Sequence, residues 1–217
     1  MNTKKQMSDT IFIGILLALA GGFLDAYTYL TRGGVFANAQ TGNMVLMGIH
    51  FANGDFSSAF SYLIPIFAFV LGVILAEVIK DKYKEKNHIH WRQITVAIEL
   101  IALIVVAFLP HGDYDMLANV LVSFVCSMQV ESFRKLNGNA YATTMCTGNL
   151  RSATEQIFHY HKNHDTVALK KSLQYFIIIG VFIVGALLGS ILCGYFGIHS
   201  VLFAAAILLL TLLLMFF

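Results

Sequence analysis

One stretch of this chain occurs twice. It runs from Asp25 to Asn43 and again from Glu131 to Asn149, and the copies align without a gap. Each starts with a carboxylate inside an apolar run and ends in the same tripeptide, Thr41-Gly42-Asn43 and Thr147-Gly148-Asn149. A carboxylate and a glycine break repeated at one spacing cannot be placed independently. Whatever fold houses the first copy houses the second in an equivalent place, and the two read as halves of one site.

The surroundings of that site are lipid. Hydrophobic residues make up 58% of the 217-residue chain and charged residues 12%, with a mean hydropathy of +0.73. A soluble domain is about 45–50% apolar and about 25% charged. The composition therefore describes an integral membrane protein, whose backbone polar groups must be satisfied internally. Cys126, Cys146 and Cys193 show no CxxC or zinc spacing and no disulfide framework. No basic stripe with interleaved aromatics points to nucleic acid.

Apolar runs place the membrane spans. Ile11 to Thr31 is long enough to cross, since a span takes about 20 residues. Ala18-Leu19-Ala20 before Gly21 resembles a signal-peptidase site, but a retained first helix is needed to match the second copy. Within this run Gly14, Ala18, Gly21, Asp25 and Tyr29 recur at three- and four-residue steps and share one helix face. Further spans are expected at Phe60 to Val78, with Pro65 as a kink, at Ile94 to Leu109, at Met116 to Val130 running on through Glu131 to Arg134 and Lys135, at Leu173 to Cys193, and at Val201 to Phe217. Gly33 to Gly54 carries no charge yet is too polar and glycine-rich for a comfortable span, and Arg151 and Glu155 interrupt its counterpart. Both read as re-entrant segments that break at Thr-Gly-Asn. Such backbone persists at membrane depth only where protein or a water-filled cavity surrounds it.

Six spans put the N-terminus, the loop after the second span and the loop after the fourth on one side. Of the fourteen Lys and Arg residues, Arg32 alone falls on the other. The positive-inside rule then makes both termini cytoplasmic. The repeat also extends past its signature: Phe69-Val70-Leu71-Gly72-Val73-Ile74-Leu75-Ala76 resembles Phe182-Ile183-Val184-Gly185-Ala186-Leu187-Leu188-Gly189. Each half, about 11–109 and about 116–217, holds three spans, an odd number, so the halves are inverted. The expected fold is one all-α transmembrane domain of two inverted three-helix repeats, each with a broken Thr-Gly-Asn segment. Many secondary transporters have this architecture, with the site between the repeats.

Gly21-Gly22-Phe23-Leu24-Asp25-Ala26, Phe36-Ala37-Asn38-Ala39-Gln40-Thr41-Gly42-Asn43 and Thr147-Gly148-Asn149 together resemble the YoaK-like family of bacterial membrane proteins. The resemblance covers essentially the whole chain. It implies a polytopic membrane protein and supplies no activity, substrate or catalytic residue.

Two sets of residues carry the expected chemistry. Gly42 and Gly148 admit backbone angles that other residues resist, and Thr41, Asn43, Thr147 and Asn149 can cap helices or line a polar cavity. A short helix beginning at each tripeptide turns free N–H groups and a positive dipole end toward an anion or an electron-rich group. The other reading is turn-and-cap residues that close a hairpin. Asp25 and Glu131 are the second set, since a carboxylate at membrane depth is a functional candidate by default. At about 1.5 Å per residue Asp25 lies about 20 Å from the inner end of its helix, and Glu131 at a matching depth from the outer end of its own. Together they make a proton or cation relay. Against this, Asp25 can bond the re-entrant backbone, and Glu131 can pair with Arg134 or Lys135 one turn on.

Glu99 is expected to interact with a helix dipole or to snorkel, and Ser127 and Gln129 to act as interhelical glue. His88, His90, His159, His161 and His164 lack an accompanying cysteine or carboxylate framework, so neither a metal nor a cofactor is expected. With no nucleophile-and-base set, neither is an enzyme. The expected function is a transporter or channel for a small polar or anionic solute, proton-coupled through Asp25 and Glu131. The alternative is a non-transporting membrane module that binds lipid or a partner protein. Small-residue faces also leave room for a homodimer.

Overall fold

The computed structural model describes residues 10–84, 90–136, 139–141 and 143–216. His88 lies outside them. The described residues form eight α-helices: α1 (Ile11–Thr31), α2 (Gln40–Ala52), α3 (Phe56–Tyr83), α4 (Trp91–Ala107), α5 (Asp115–Ser132), α6 (Cys146–Asn163), α7 (Thr166–Phe196) and α8 (Val201–Leu214). A 3-10 turn, Gly197–Ser200, joins α7 to α8. Two short strands, β1 (Lys135–Leu136) and β2 (Asn139–Ala140), form an antiparallel hairpin between α5 and α6.

The hairpin corrects one expectation. The fourth expected span, α5, stops at Ser132 instead of running on to Lys135, closed by the Phe133 amide donating to the Gln129 carbonyl at 3.0 Å. The sequence between the strands is Asn137-Gly138, the pair that favours tight hairpins.

Among the described residues three helical stretches are long and apolar enough to cross a membrane: Ile11–Thr31, Phe56–Tyr83, and the Thr166–Leu214 stretch through α7, the turn and α8. Taken alone, α4 has 17 residues and α8 has 14, below the usual span of about 20.

The core is built by α1, α4, α5 and α8, whose Leu17, Leu24, Leu103, Val122 and Leu208 are fully buried together. Helices α3 and α7 flank this core, to which α7 adds Cys193, and expose Phe67, Leu71, Ile183 and Leu187, an arrangement suited to lipid. The packing partners come in matched pairs. Helix α1 packs on α7 and α5 on α3; α2 on α3 and α6 on α7; α1 on α8 and α5 on α4; and α4 meets α8. Glycines set the two longest seams. Gly185 lies against the Leu19 carbonyl and Gly189 against that of Phe23, so four residues along α7 match four in the same direction along α1, and the two helices run parallel. On the α3–α5 seam, Gly72 lies against Phe124 and Ser127. Small residues at such points let backbones touch, which drives helix association where lipid removes the hydrophobic gain.

Helix starts are set by side chains. Asp55 accepts from the Ser58 amide at 3.1 Å at the head of α3, and Asp165 from the Val167 amide at 2.8 Å at the head of α7. Hydrogen bonds from Ser58, with His50 beside the carboxylate, hold Asp55 below the usual carboxylate range. His90 accepts from the Arg92 amide while Gln93 returns a bond to the His90 amide, a capping box for α4.

Candidate functional site

The site is assembled along α1. After Arg32 the chain turns back through Gly33 and Gly34, both at positive φ (81° and 77°), a conformation that glycine takes without strain. The returning segment then bonds the helix it has just left. The Ala37 amide donates to Thr28 Oγ1 (3.2 Å), the Asn38 amide to Asp25 Oδ1 (2.7 Å), and Asn38 Nδ2 to the Gly21 carbonyl (3.2 Å). Helix α2 then begins at Gln40. Asn43, fully buried, clamps Phe36 from both sides: its Oδ1 accepts from the Phe36 amide (3.0 Å) and its Nδ2 donates to the Phe36 carbonyl (2.7 Å). The other copy also turns back, but it packs on α1 as well as on α5, the helix it has left. Tyr141 reaches the Gly14 carbonyl (3.3 Å), Thr143 meets Gln129, Thr144 packs on Gly21, and α6 begins at Cys146. The α1 face of Gly14, Ala18, Gly21, Asp25 and Tyr29 is thus the surface both returning segments use.

Helices α2 and α6 start at one shared cavity of about 630 Å³. Thr41, Thr147, Gly148 and Asp25 line it, and its apolar walls include Tyr29, Phe36, Phe69 and Phe182. Neither helix start carries a side-chain cap. The N–H groups of Thr41, Thr147 and Gly148 have no acceptor among the described residues, and a helix start in that condition is a ready site for electron-rich groups. The two starts are not alike. At α2 the Asp25 carboxylate already receives the Asn38 amide. At α6 no carboxylate does so.

Each sequence-derived site residue can now be placed. The cavity brings together Asp25, Thr41, Thr147 and Gly148; Gly42, Asn43 and Asn149 are not among its lining residues. Asn43 is a clamp, and Asn149 is buried. Gly42 and Gly148 lie inside their helices and neither has positive φ, so conformational freedom is not why they are glycine. A Cβ on Gly42 would press on the Phe36 ring at 3.0 Å, whereas Gly148 has open space before it. Glu131 is not in the cavity and pairs with Arg134 (3.1 Å) near the surface; the structure does not join it to Asp25. Glu99 is the clear correction. It neither snorkels nor meets a helix end, because its side chain is 1% exposed and faces Gln129 in the core. Among the described residues no three His, Cys, Asp or Glu side chains converge as metal ligands.

Asn38, Gln40, Cys146, Phe69 and Phe182 also line the cavity. The two phenylalanines occupy aligned positions of the repeat, a signal already present in the sequence.

These features define a helical membrane protein in which α2 and α6 start at one shared cavity. The chain belongs to the family described as Protein of unknown function (DUF1275), whose model matches residues 13–215. It is 28% identical over 180 residues to the UPF0700 transmembrane protein YoaK of Bacillus subtilis (strain 168), covering 80% of this chain and 79% of that relative. No solved structure matches it significantly.

Proposed function

We propose that this protein is a transporter or channel for a small polar or anionic solute, built as six spans in two inverted repeats across the bacterial plasma membrane, with both termini cytoplasmic. The observation that carries the reading is the shared cavity, on which two uncapped half-helices open with free N–H groups. The inverted repeat is supported by the larger helix packings, which map onto themselves when α1 to α4 are exchanged for α5 to α8; the smaller contact of α3 with α4 has no such counterpart. It is supported too by the parallel course of α1 and α7, which six alternating spans require of the first and the fifth. Irregular backbone at membrane depth lines a cavity or is buried in protein, and here it does the first. The open α6 start receives the electron-rich end of the solute, while Asp25, the charged side chain in the wall, takes up and releases the coupling proton.

Two variants test this in proteoliposomes. Gly148→Leu places a side chain into open cavity space and is expected to weaken solute binding about tenfold or more, a change of about 1.4 kcal/mol. Gly48→Leu, on α2 and equally free of neighbours, is the control and should have no effect. Solutes are found by thermal stabilisation of the purified protein, since a ligand of the folded state raises its melting temperature. A cavity blocked with no change in uptake, or stabilisation by lipids alone, would favour the lipid-binding module. Asp25→Asn keeps an acceptor for the Asn38 amide, so it should fold normally and lose the pH dependence of uptake. Uptake that still follows pH would remove Asp25 from the mechanism.

A further inference from the structure

The cavity wall is unbalanced in charge. Asp25 is its one acid, and among the described residues no Lys, Arg or His lines it. The Asp25 carboxylate accepts from the Asn38 amide and has no ion pair among the described residues. A carboxylate facing an apolar-walled space is costly until an opposite charge meets it.

The neighbouring elements hold no spare cation for it. Arg32, further along α1, has every guanidinium nitrogen engaged by Tyr27, Asp115 and main-chain carbonyls. Arg134, past the end of α5, pairs with Glu131, and His50, at the far end of α2, with Asp55. Helix α7 runs beside α1 with Gly189 against Phe23, and its Lys170 and Lys171 lie about 27 Å or more before that point. Helix α8 carries no ionisable residue. The groups that α5 and α6 bring toward Asp25 are thiols, Cys126 and Cys146.

The walls offer aromatic rings instead. Tyr29 and Phe36 stack with ring centres 4.7 Å apart, and Phe69 of α3 and Phe182 of α7 add two more rings. Ring faces carry partial negative charge and attract cations. A hard metal ion needs a shell of oxygens, and no three acid, His or Cys side chains converge among the described residues. Size decides the same way. A cavity of about 630 Å³ falls in the range of sites that enclose a whole small molecule, about 300–1,000 Å³.

We infer that the solute of this cavity carries an ammonium group that pairs with Asp25, on an apolar body that lies against the four rings. This deepens the cavity reading above and rests on it. With the electron-rich end which that reading places at α6, the solute class is an amino acid with a large apolar side chain. The two ends have neighbouring seats: Asn38, which bonds Asp25, and Thr144, two residues before α6, both lie on Gly21. The ammonium and the coupling proton use one carboxylate, so each enters as the other leaves.

Calorimetric titration of the purified protein with three compounds tests this. They are L-phenylalanine; 3-phenylpropionate, which lacks the amine; and phenethylamine, which lacks the carboxylate. L-Phenylalanine is expected to bind. Its amine-free analogue should bind about tenfold more weakly or worse, as when one partner of a buried charge pair is removed. Asp25→Asn should weaken the two amines by a similar factor and leave 3-phenylpropionate unchanged. Equal affinity of the unaltered protein for L-phenylalanine and 3-phenylpropionate would overturn the inference, and this comparison stands even where Asp25→Asn fails to fold. So would an Asp25→Asn protein that binds all three as before, or binding of none of them at millimolar concentration. The two readings fail differently. A solute without an amine that stabilises the protein and is blocked by Gly148→Leu keeps the cavity and removes the ammonium. Phenethylamine bound as tightly as L-phenylalanine, and dependent on Asp25, keeps the ammonium and removes the electron-rich end at α6.

Discussion

Replacing Arg32 with alanine is expected to lower stability by about 3–5 kcal/mol, the cost of removing one partner from a buried charged network. The side chain is fully buried, and every nitrogen of its guanidinium has a partner. Nε donates to Tyr27 Oη (2.9 Å), Nη1 to Asp115 Oδ1 (2.9 Å) and the Pro110 carbonyl (3.2 Å), and Nη2 to the carbonyls of Val106 (3.1 Å) and Leu109 (3.0 Å). These carbonyls belong to the last turn of α4 and the chain just after it, where a helix has no intrahelical donors left and carries negative dipole charge. The Arg32 carbonyl in turn accepts from Asn119 Nδ2 (2.6 Å). One residue therefore ties the end of α1 to the end of α4 and the start of α5. Arg32→Lys should recover only part of the loss, because an ammonium offers three donors from one point and cannot reach this spread of acceptors. Thermal and denaturant unfolding in detergent check both variants. A loss below about 1 kcal/mol for Arg32→Ala would place its energy in the range of a surface pair.

Arg32 also shows where sequence reasoning stops. It stood out as the one basic residue on the wrong side of the charge asymmetry, but its reason is tertiary, since four of its five acceptors come from residues 106 to 115. Helix positions and the repeat were legible, because apolar run length and alignment are local properties: α1 has the bounds its apolar run predicts, and α2 and α6 begin beside their tripeptides. The roles inside the tripeptide were not legible. Thr41 and Asn43 are two residues apart and carry similar polar chemistry, yet one turns to the cavity and the other clamps Phe36, a split fixed by which side of α2 faces α1. The carboxylates diverged for the same reason. Asp25 and Glu131 align, but α5 stops at Ser132, one residue past Glu131, whereas α1 continues to Thr31. Glu131 therefore sits at a helix end beside Arg134, and the buried acid of that region is Glu99. No pattern in the sequence marked Glu99 as facing α5.

Gly72→Ala and Gly185→Ala should each destabilise the protein by about 1–3 kcal/mol or more, the cost of overfilling a close-packed contact, and the two losses should be alike. A Cβ on Gly72 would run into the Phe124 carbonyl and Ser127 Oγ; one on Gly185 would run into the Leu19 carbonyl. The obstacle in both cases includes main chain of a packed helix, which cannot rotate aside as a side chain can, so α3 must move off α5 and α7 off α1. Those seams carry Phe69 and Phe182 into the cavity wall, and solute binding should fall together with stability. Gly180→Ala is the control: it lies on the same helix as Gly185 with nothing near its Cβ position, and alanine there should be neutral or slightly stabilising through helix propensity. The comparison between the first two variants bears on the architecture itself. They occupy aligned positions of the repeat, so a two-fold arrangement of halves predicts matched penalties from two different seams. Unfolding curves in which Gly185→Ala is severe and Gly72→Ala costs nothing would mean that the two seams are not equivalent, and that the resemblance between the halves ends at their sequence.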